Sequence, residues 1–220
     1  MKLKVICATQ KNLNQRQIIL IYIISKLFGK ETEILLNREI RLNAYPHLKK
    51  KYINMSGELY DFSRYNSSLK NIEEESIVLA FNDTLGNGRK FNLPLYIFIL
   101  VSIILINFKK YDLSGPIDYD RESKWLCPYF FISKKSTLIN LNWIDYEKAL
   151  HNTNQASLEK MKNWISNGWR SSKMATTNQR EIKLRTLLLE KQLIKDLKGI
   201  RILSFSKYSI WRILNSIFPF

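Results

Sequence analysis

Residues 77–81 read Ile-Val-Leu-Ala-Phe, and residues 82–89 continue as Asn-Asp-Thr-Leu-Gly-Asn-Gly-Arg. A continuous apolar run that ends in short polar residues predicts a buried, parallel strand opening into a loop. In open α/β sheets, ligands bind outside the carboxyl ends of the strands. A carboxylate beside an amide, a hydroxyl and an arginine suits an anionic or metal-bridged ligand. The alternative, a polar turn in which Gly86 and Gly88 supply positive φ, remains open.

Strand and helix patterns alternate along the chain around this run. The predicted strands are 2–8, 33–37, 77–81 and 125–133; the predicted helices are 15–28, 60–71 and 93–108, and the pattern is mainly helical from 143 onward. The basic stretch 38–51 contains Tyr45-Pro46, which argues against regular structure there. This alternation predicts an α/β fold with a mostly parallel sheet flanked by helices. We expect a domain at residues 1–158 and a basic helical segment at 159–220.

Net charge indicates which kinds of partner the protein could bind, and cysteine content indicates the redox state of its compartment. The 220 residues include 35 Lys+Arg and 19 Asp+Glu, for a formal net charge of +16. Such an excess favours nucleic acid, an acidic membrane surface or phosphorylated ligands. Cys7 and Cys127 have no metal-ligand spacing, and Cys7 lies in an apolar run that predicts a buried thiol. The sequence contains no P-loop, zinc motif or Ser/His/Asp arrangement, and it suits a reducing compartment.

Two apolar segments raise the question of membrane contact. Residues 93–108 form the longest apolar stretch, which is shorter than the ~20 residues that span a bilayer and predicts a buried helix. An intramembrane or interfacial segment is the alternative. Near the end of the chain, Ile210, Ile213, Leu214 and Ile217 form a helical stripe. That basic, aromatic-rich helix suits a membrane interface, and docking on the protein's own core is the alternative.

Taken together, residues 54–89 contain an ordered set of motifs. Asn54-Met55-Ser56-Gly57 is followed by Arg64-Tyr65-Asn66, a spacer, and the strand that ends in Asn82-Asp83-Thr84. This set resembles the core of GT-A-type, family-2-like glycosyltransferases, and in particular bacterial surface-polysaccharide enzymes similar to rhamnan-synthesis proteins. Those enzymes carry an Asn-Asp-Ser/Thr element where the wider family has Asp-x-Asp. A Gly-rich turn at 114–120 and a following aromatic strand extend the resemblance.

The resemblance implies a Rossmann-like, nucleotide-sugar-binding GT-A domain that transfers sugar to a saccharide or lipid-linked acceptor in polysaccharide or lipopolysaccharide assembly. It implies a cytoplasmic protein, peripheral on the inner face of the membrane. The implied donor-binding residues are Asn82, Asp83, Thr84, Arg64 and Arg89, with Asp83 as ligand to Mn²⁺ or Mg²⁺. One carboxylate with an amide and a hydroxyl is a weaker cation site than two carboxylates.

An inverting transfer also needs a carboxylate base near the acceptor hydroxyl. Asp118 and Asp120 are the nearest candidates, and a polar turn with local backbone bonds is their alternative role. Trp125, Trp164 and Trp169 offer flat faces for sugar stacking, or serve as core residues.

Two rival functions remain open. A non-catalytic glycosyltransferase homologue that assists a partner enzyme would explain the missing second carboxylate. A basic nucleic-acid-binding protein would explain the net charge of +16 equally well, since Tyr and Trp stack on bases. That reading leaves the Asn-Asp-Thr element without a role and has no motif support, so we expect no nucleic-acid partner.

Overall fold

The computed structural model describes residues 1–8, 13–29, 31–36, 49–53, 60–82, 85, 93–119, 124–127, 129–139, 146–169, 172–196, 199–206 and 210–217. The strands are β1 Leu3–Ala8, β2 Glu33–Leu36, β3 Lys49–Tyr52, β4 Ile77–Asn82, β5 Leu113–Gly115, β6 Ile117–Tyr119, β7 Lys124–Leu126, β8 Phe130–Lys134 and β9 Ile202–Ser204. The helices are α1 Gln15–Phe28, α2 Tyr60–Leu69, α3 Leu93–Asn107, α4 Lys135–Ile139, α5 Tyr146–His151, α6 Gln155–Asn163, a π-helical turn Trp164–Gly168, α7 Thr177–Asp196 and α8 Ile210–Ile217.

Seven strands form one sheet in the order β3-β2-β1-β4-β8-β5-β9, and β6 and β7 form a separate antiparallel pair. The first four strands are mutually parallel, β9 is parallel to β5, and β8 runs antiparallel to both of its neighbours. The predicted α/β fold with a mostly parallel, helix-flanked sheet is therefore confirmed. Within the described part of the chain, each helix is too short or too polar to cross a lipid bilayer.

Helices cover both faces of the sheet, because successive residues of a strand face opposite sides. Leu3, Val5 and Cys7 of β1 belong to a first core with α1, α3 and Phe205. Ile6 and Ala8 belong to a second core with α2 and α7. Cys7 is 0% exposed, which confirms the predicted buried thiol. This burial raises the pKa of the thiol.

The last residues of the basic stretch 38–51 form a strand, contrary to the prediction that this stretch is irregular. Residues 49–51 were expected to lack regular structure, but they form most of β3, which pairs with β2 from Glu33↔Lys49 to Leu36↔Tyr52. The lysine-rich sequence shows no apolar strand pattern, because β3 is an edge strand whose side chains are largely exposed. Lysines on an exposed edge strand also discourage pairing with other chains.

The structure divides the predicted strand 125–133 into two strands, and most of the predicted turn at 114–120 forms strands instead. Residues 124–126 form β7, which pairs with β6, whereas β8 pairs with β4 and β5 in the main sheet. The predicted turn contains β5 and β6, and Gly115 is needed there. A Cβ at this position would lie 3.0 Å from Leu126 Cδ1 and 3.2 Å from the Phe130 carbonyl oxygen.

The C-terminal segment 159–220 was predicted to be helical, but it also contains a strand. It contributes β9, and Phe205, which directly follows β9, is 2% exposed. Helix α7 places Leu188 and Leu189 in the second core. The segment therefore shares the sheet and both cores with the rest of the chain, while the domain boundary at residue 158 stays a prediction.

Candidate functional site

The strand order reverses between β1 and β4. From β1 the chain proceeds through α1 to β2 and then to β3 on one side, and it returns through α2 to β4 on the other side. Helices α1 and α2 pack on opposite faces of the sheet. The carboxyl ends of these parallel strands coincide, since Ala8 pairs with Asn82. Such a reversal of strand order is where open α/β sheets bind their ligands.

The first turn of α1 is tied to the end of β4. Asn14 and Gln17 form a capping box, in which Asn14 Oδ1 accepts from the Gln17 N–H (2.9 Å) and Gln17 Oε1 accepts from the Asn14 N–H (3.0 Å). Gln17 Nε2 also donates to the carbonyl oxygens of Asn82 (3.1 Å) and Leu85 (2.7 Å). Because Gln17 is only 1% exposed, these bonds form away from water.

Further bonds fix the chain on each side of Asp83 and Thr84. The Asn82 N–H donates to the Tyr129 carbonyl (3.2 Å), and the Leu85 N–H donates to the Asn82 carbonyl (3.1 Å). Asn14 Nδ2 donates to the Leu85 carbonyl (3.1 Å). The residues that flank the predicted donor-binding pair are thus held by α1 and by the residue preceding β8.

Helix α3 supports the same turn of α1. The Tyr96 hydroxyl donates to the Arg16 carbonyl (2.9 Å), and burial raises the pKa of Tyr96 to about 12 despite the nearby Arg16 charge. The hydroxyl therefore stays protonated and remains a donor at neutral pH. A rigid helix N-terminus at a strand-order reversal favours anions, because its backbone N–H groups carry partial positive charge.

A second strand end lies at the same edge. Strand β5 is parallel to β4 with β8 between them, so the two strands lie about 10 Å apart, and β5 ends at a level about two residues before the end of β4. The chain continues from Gly115 into β6, whose Asp118 is in register with Trp125 of β7. The Gly115 carbonyl accepts from Phe205 (2.8 Å) and the Pro116 carbonyl from Cys127 (2.9 Å), so this exit is held on two sides.

The predicted site residues are described to different extents. Asn82 ends β4 and is 6% exposed, and Arg64 is half-buried in α2, which follows β3. The backbone of Asp118 lies in β6, but its side chain lies outside the described residues, as do Asp83, Thr84, Arg89 and Asp120. The topology brings the ends of β4 and β5 to one edge, as the prediction for Asp83 and Asp118 requires.

The aromatic and metal predictions stay open. Trp164 is 44% exposed in the π-helical turn, with Lys183 Nζ 5.9 Å from its ring centroid, and Trp169 is half-buried. The Trp125 side chain lies outside the described residues. Among the described residues, no three His, Cys, Asp or Glu side chains cluster as a metal site would require. The proposed cation ligand, Asp83, is not among them.

The sequence prediction missed Gln17, which connects α1 to the end of β4. Its signal is the spacing Asn14-x-x-Gln17 directly before an apolar helical pattern, which is typical of a capping box. The additional bonds to Asn82 and Leu85 depend on the fold, because they join residues more than 60 positions apart.

Comparisons with known proteins assign no family. No protein-family model matches the chain, and no curated protein matches it. Among solved structures, the chain is similar to the bifunctional IspDF of Campylobacter jejuni, with 11% identity, a TM-score of 0.38 and coverage of 94% of this chain and 50% of that one. A hypothetical transferase from Thermus thermophilus has 12% identity, a TM-score of 0.40 and 93% coverage of both chains. The chain thus spans half the length of IspDF, and neither likeness is close enough to place it in a family.

Proposed function

We propose that the protein is a transferase that binds a nucleotide sugar at the carboxyl edge of its sheet and moves the sugar to a saccharide or lipid-linked acceptor. The observation that carries this proposal is the strand-order reversal between β1 and β4, with Asn82 at its rim. Nucleotide ligands occupy this position in doubly wound sheets. The resemblance of residues 54–89 to GT-A enzymes is the reason for proposing that this nucleotide carries a sugar.

The diphosphate would lie against the start of α1 and the segment after β4. There Asn82, Asp83 and Thr84 would bind the diphosphate or the ribose, and Asp83 would hold a Mn²⁺ or Mg²⁺ ion that neutralises phosphate charge. Arg64 and Arg89 neutralise phosphate oxygens as negative charge develops on the leaving group. The fixed backbone around Asn82 favours this role, because preorganised groups need no rearrangement when charge develops.

The acceptor would approach from the β5 side of the same edge. Asp118 or Asp120 then removes the proton from the acceptor hydroxyl while that oxygen attacks the sugar carbon and the diphosphate leaves. A separation of about 10 Å between strands β4 and β5 leaves room for a sugar between donor phosphates and base.

Isothermal titration with a panel of nucleoside-diphosphate sugars, with and without Mn²⁺, tests the proposal. We expect heat with at least one donor, and an Asp83→Ala variant should lose donor binding at least about tenfold if its carboxylate contacts the diphosphate or its ion. Glu74→Ala is the matched control, since Glu74 is exposed in the turn before β4, at the opposite end of that strand. Absence of heat with every donor contradicts the proposal.

The same samples separate the rival functions. Donor binding without any sugar transfer, together with full complementation by Asp83→Ala in cells, indicates a non-catalytic homologue. Binding of single-stranded nucleic acid that falls steeply with salt, without donor binding, indicates a nucleic-acid-binding protein.

A further inference from the structure

We propose that α1, α3 and α8 together present a surface that binds the headgroup region of an anionic lipid bilayer. The three helices pack into the first core, on one face of the sheet, and carry exposed apolar side chains. We call this surface the outer apolar face and define it by its principal residues: Leu27, Ile97, Ile104, Phe108, Ile210 and Ile217. Each of these residues is between 41% and 68% exposed.

The three helices of the outer apolar face pack on the same face of the sheet, and contacts link α3 to each of the other two. Tyr96 of α3 donates a hydrogen bond to Arg16 of α1. Helix α3 also contacts α8, since the Phe98 ring centroid lies 5.7 Å from that of Trp211 in α8. Phe98 also lies 5.0 Å from Phe205, so α8 is anchored by the same aromatic group that fills the core. The three helices therefore present their outer sides together.

Helix α3 is apolar on both sides, unlike an ordinary surface helix, whose outer side is polar. Its inner side packs fully against the sheet through Phe98, Ile99 and Ile103, each 0% exposed. On the outer side, Ile97 and Ile104 are 41% and 43% exposed, in positions where charged residues would ordinarily lie. Large exposed apolar patches mark sites of protein or membrane contact.

Charge identifies the occupant as an anionic lipid surface. None of the three helices contains Asp or Glu, whereas Lys26 lies in the last turn of α1, and Lys109 and Lys110 follow α3. All three lysines are exposed, and they lie at one end of the face because α1 and α3 run in the same direction from the sheet edge. Anionic headgroups attract such residues.

A second copy of the chain fits this face less well. Two copies would bring together like charges on proteins with a formal net charge of +16. An anionic bilayer instead satisfies the apolar side chains and the lysines together, as interfacial amphipathic helices do. Because the inner side of α3 packs on the sheet, the protein meets lipid through the outer sides of its helices only.

Docking on this face has a consequence for the candidate site. Helices α1 and α3 both begin at the carboxyl edge of the sheet, so that edge would lie beside the bilayer. The inference goes beyond the proposed function and does not depend on it, since vesicle binding requires no nucleotide.

Vesicle flotation with the full chain tests the proposal. We expect binding to phosphatidylcholine mixed with phosphatidylglycerol, much weaker binding to phosphatidylcholine alone, and weaker binding at high salt. The double variant Ile97→Gln, Ile104→Gln should bind anionic vesicles at least about tenfold more weakly. The matched control is Ile139→Gln, Met174→Gln, whose residues are 51% and 92% exposed in α4 and between the π-helical turn and α7. Circular dichroism establishes that each variant is folded.

An environment-sensitive dye gives a readout at the face itself. In a Cys127→Ser background, a dye on Ile104→Cys should shift to the blue with anionic vesicles, and a dye on Ile139→Cys should not. Equal vesicle binding by the two double variants would overturn the proposal. So would a dimer in sedimentation experiments that dissociates in the Ile97→Gln, Ile104→Gln variant, because the face would then be covered by a second copy.

Discussion

At the scale of single residues, Gln17 contributes most to the candidate site. One buried amide accepts from the backbone of its own helix cap and donates to two carbonyl oxygens around β4. Hydrophobic contacts alone would not fix the segment between Asn82 and Leu85 in this way, because they are not directional.

Replacement of Gln17 by alanine is expected to destabilise the protein. Gln17→Ala removes the partner of the part-buried Asn14 N–H and one of the two bonds to the Leu85 carbonyl in a buried setting, which costs about 2 kcal/mol in free energy of unfolding. Urea denaturation measures the loss. The control Gln155→Ala should lie within about 0.5 kcal/mol of wild type, since Gln155 is exposed and bonds only to Glu159 among the described residues. Equal midpoints for the two variants would contradict the assigned role.

At the scale of elements, the end of α3 has an unusual residue. Lys109 has a φ of +56°, and the following Lys110 N–H donates to the Leu105 carbonyl at 2.9 Å. A helix often ends on a residue in this left-handed conformation, where glycine is preferred because it has no Cβ. A lysine at this position is consistent with the proposed role of Lys109 in attracting anionic headgroups at the end of the outer apolar face.

Replacement of Lys109 by glycine should therefore stabilise the helix end. We expect Lys109→Gly to raise the free energy of unfolding by about 0.5–1 kcal/mol, because the left-handed strain is relieved. Lys110→Gly is the matched control and should lower it, since the φ of Lys110 is not positive and glycine adds only unfolded-state entropy. A stabilising effect of both substitutions, in thermal denaturation, would exclude this explanation.

The pairing of β9 with β5 begins at an ion pair. Asp112 accepts from Arg201 Nε (3.0 Å), Nη2 (2.9 Å) and the backbone N–H (3.0 Å). These hydrogen bonds hold the pKa of Asp112 below its usual range, against a smaller opposing effect of burial. The charged form is favoured in the folded state, so the stabilisation is present above the unfolded pKa and is lost as the pH falls.

Urea midpoints measured against pH test this pairing. We expect Asp112→Asn to be less stable than wild type above about pH 5, with a difference that shrinks as the pH falls below about 4 through the lowered pKa. The effect should be small, because Arg201 is 57% exposed. In an Arg201→Gln background the pH dependence of the difference should be reduced. A difference that stays constant from pH 7 to pH 3 would show that the carboxylate charge is not involved.

At the scale of the whole molecule, hydrophobic pattern predicted the strands and helices that contain apolar runs or helical periods. Strands β1, β2 and β4 and helices α1, α2 and α3 follow the predicted ranges closely, because apolar runs and 3.6-residue periods directly reflect burial. The short strands β3, β5, β6 and β9 were not predicted, and β7 was predicted only as part of one longer strand with β8. Each has only three or four residues, too few to show a pattern, and its partner is set by tertiary structure rather than by its own residues.

The same contrast applies to the candidate site. The sequence located the strand end at Asn82, since the apolar run stops there. It did not predict that β4 lies beside β1 at a reversal of strand order, because that depends on the crossover from β3. The roles of Asp83, Arg89 and Asp120 stay predictions.

A crystal structure of the protein soaked with UDP or GDP tests whether the reversal of strand order binds a nucleotide. We predict diphosphate density at the carboxyl edge between β1 and β4, next to Asn82 and the first turn of α1, with Asp83 facing it. Density elsewhere on the molecule, or an Asp83 side chain packed away from that edge, would contradict the proposed site.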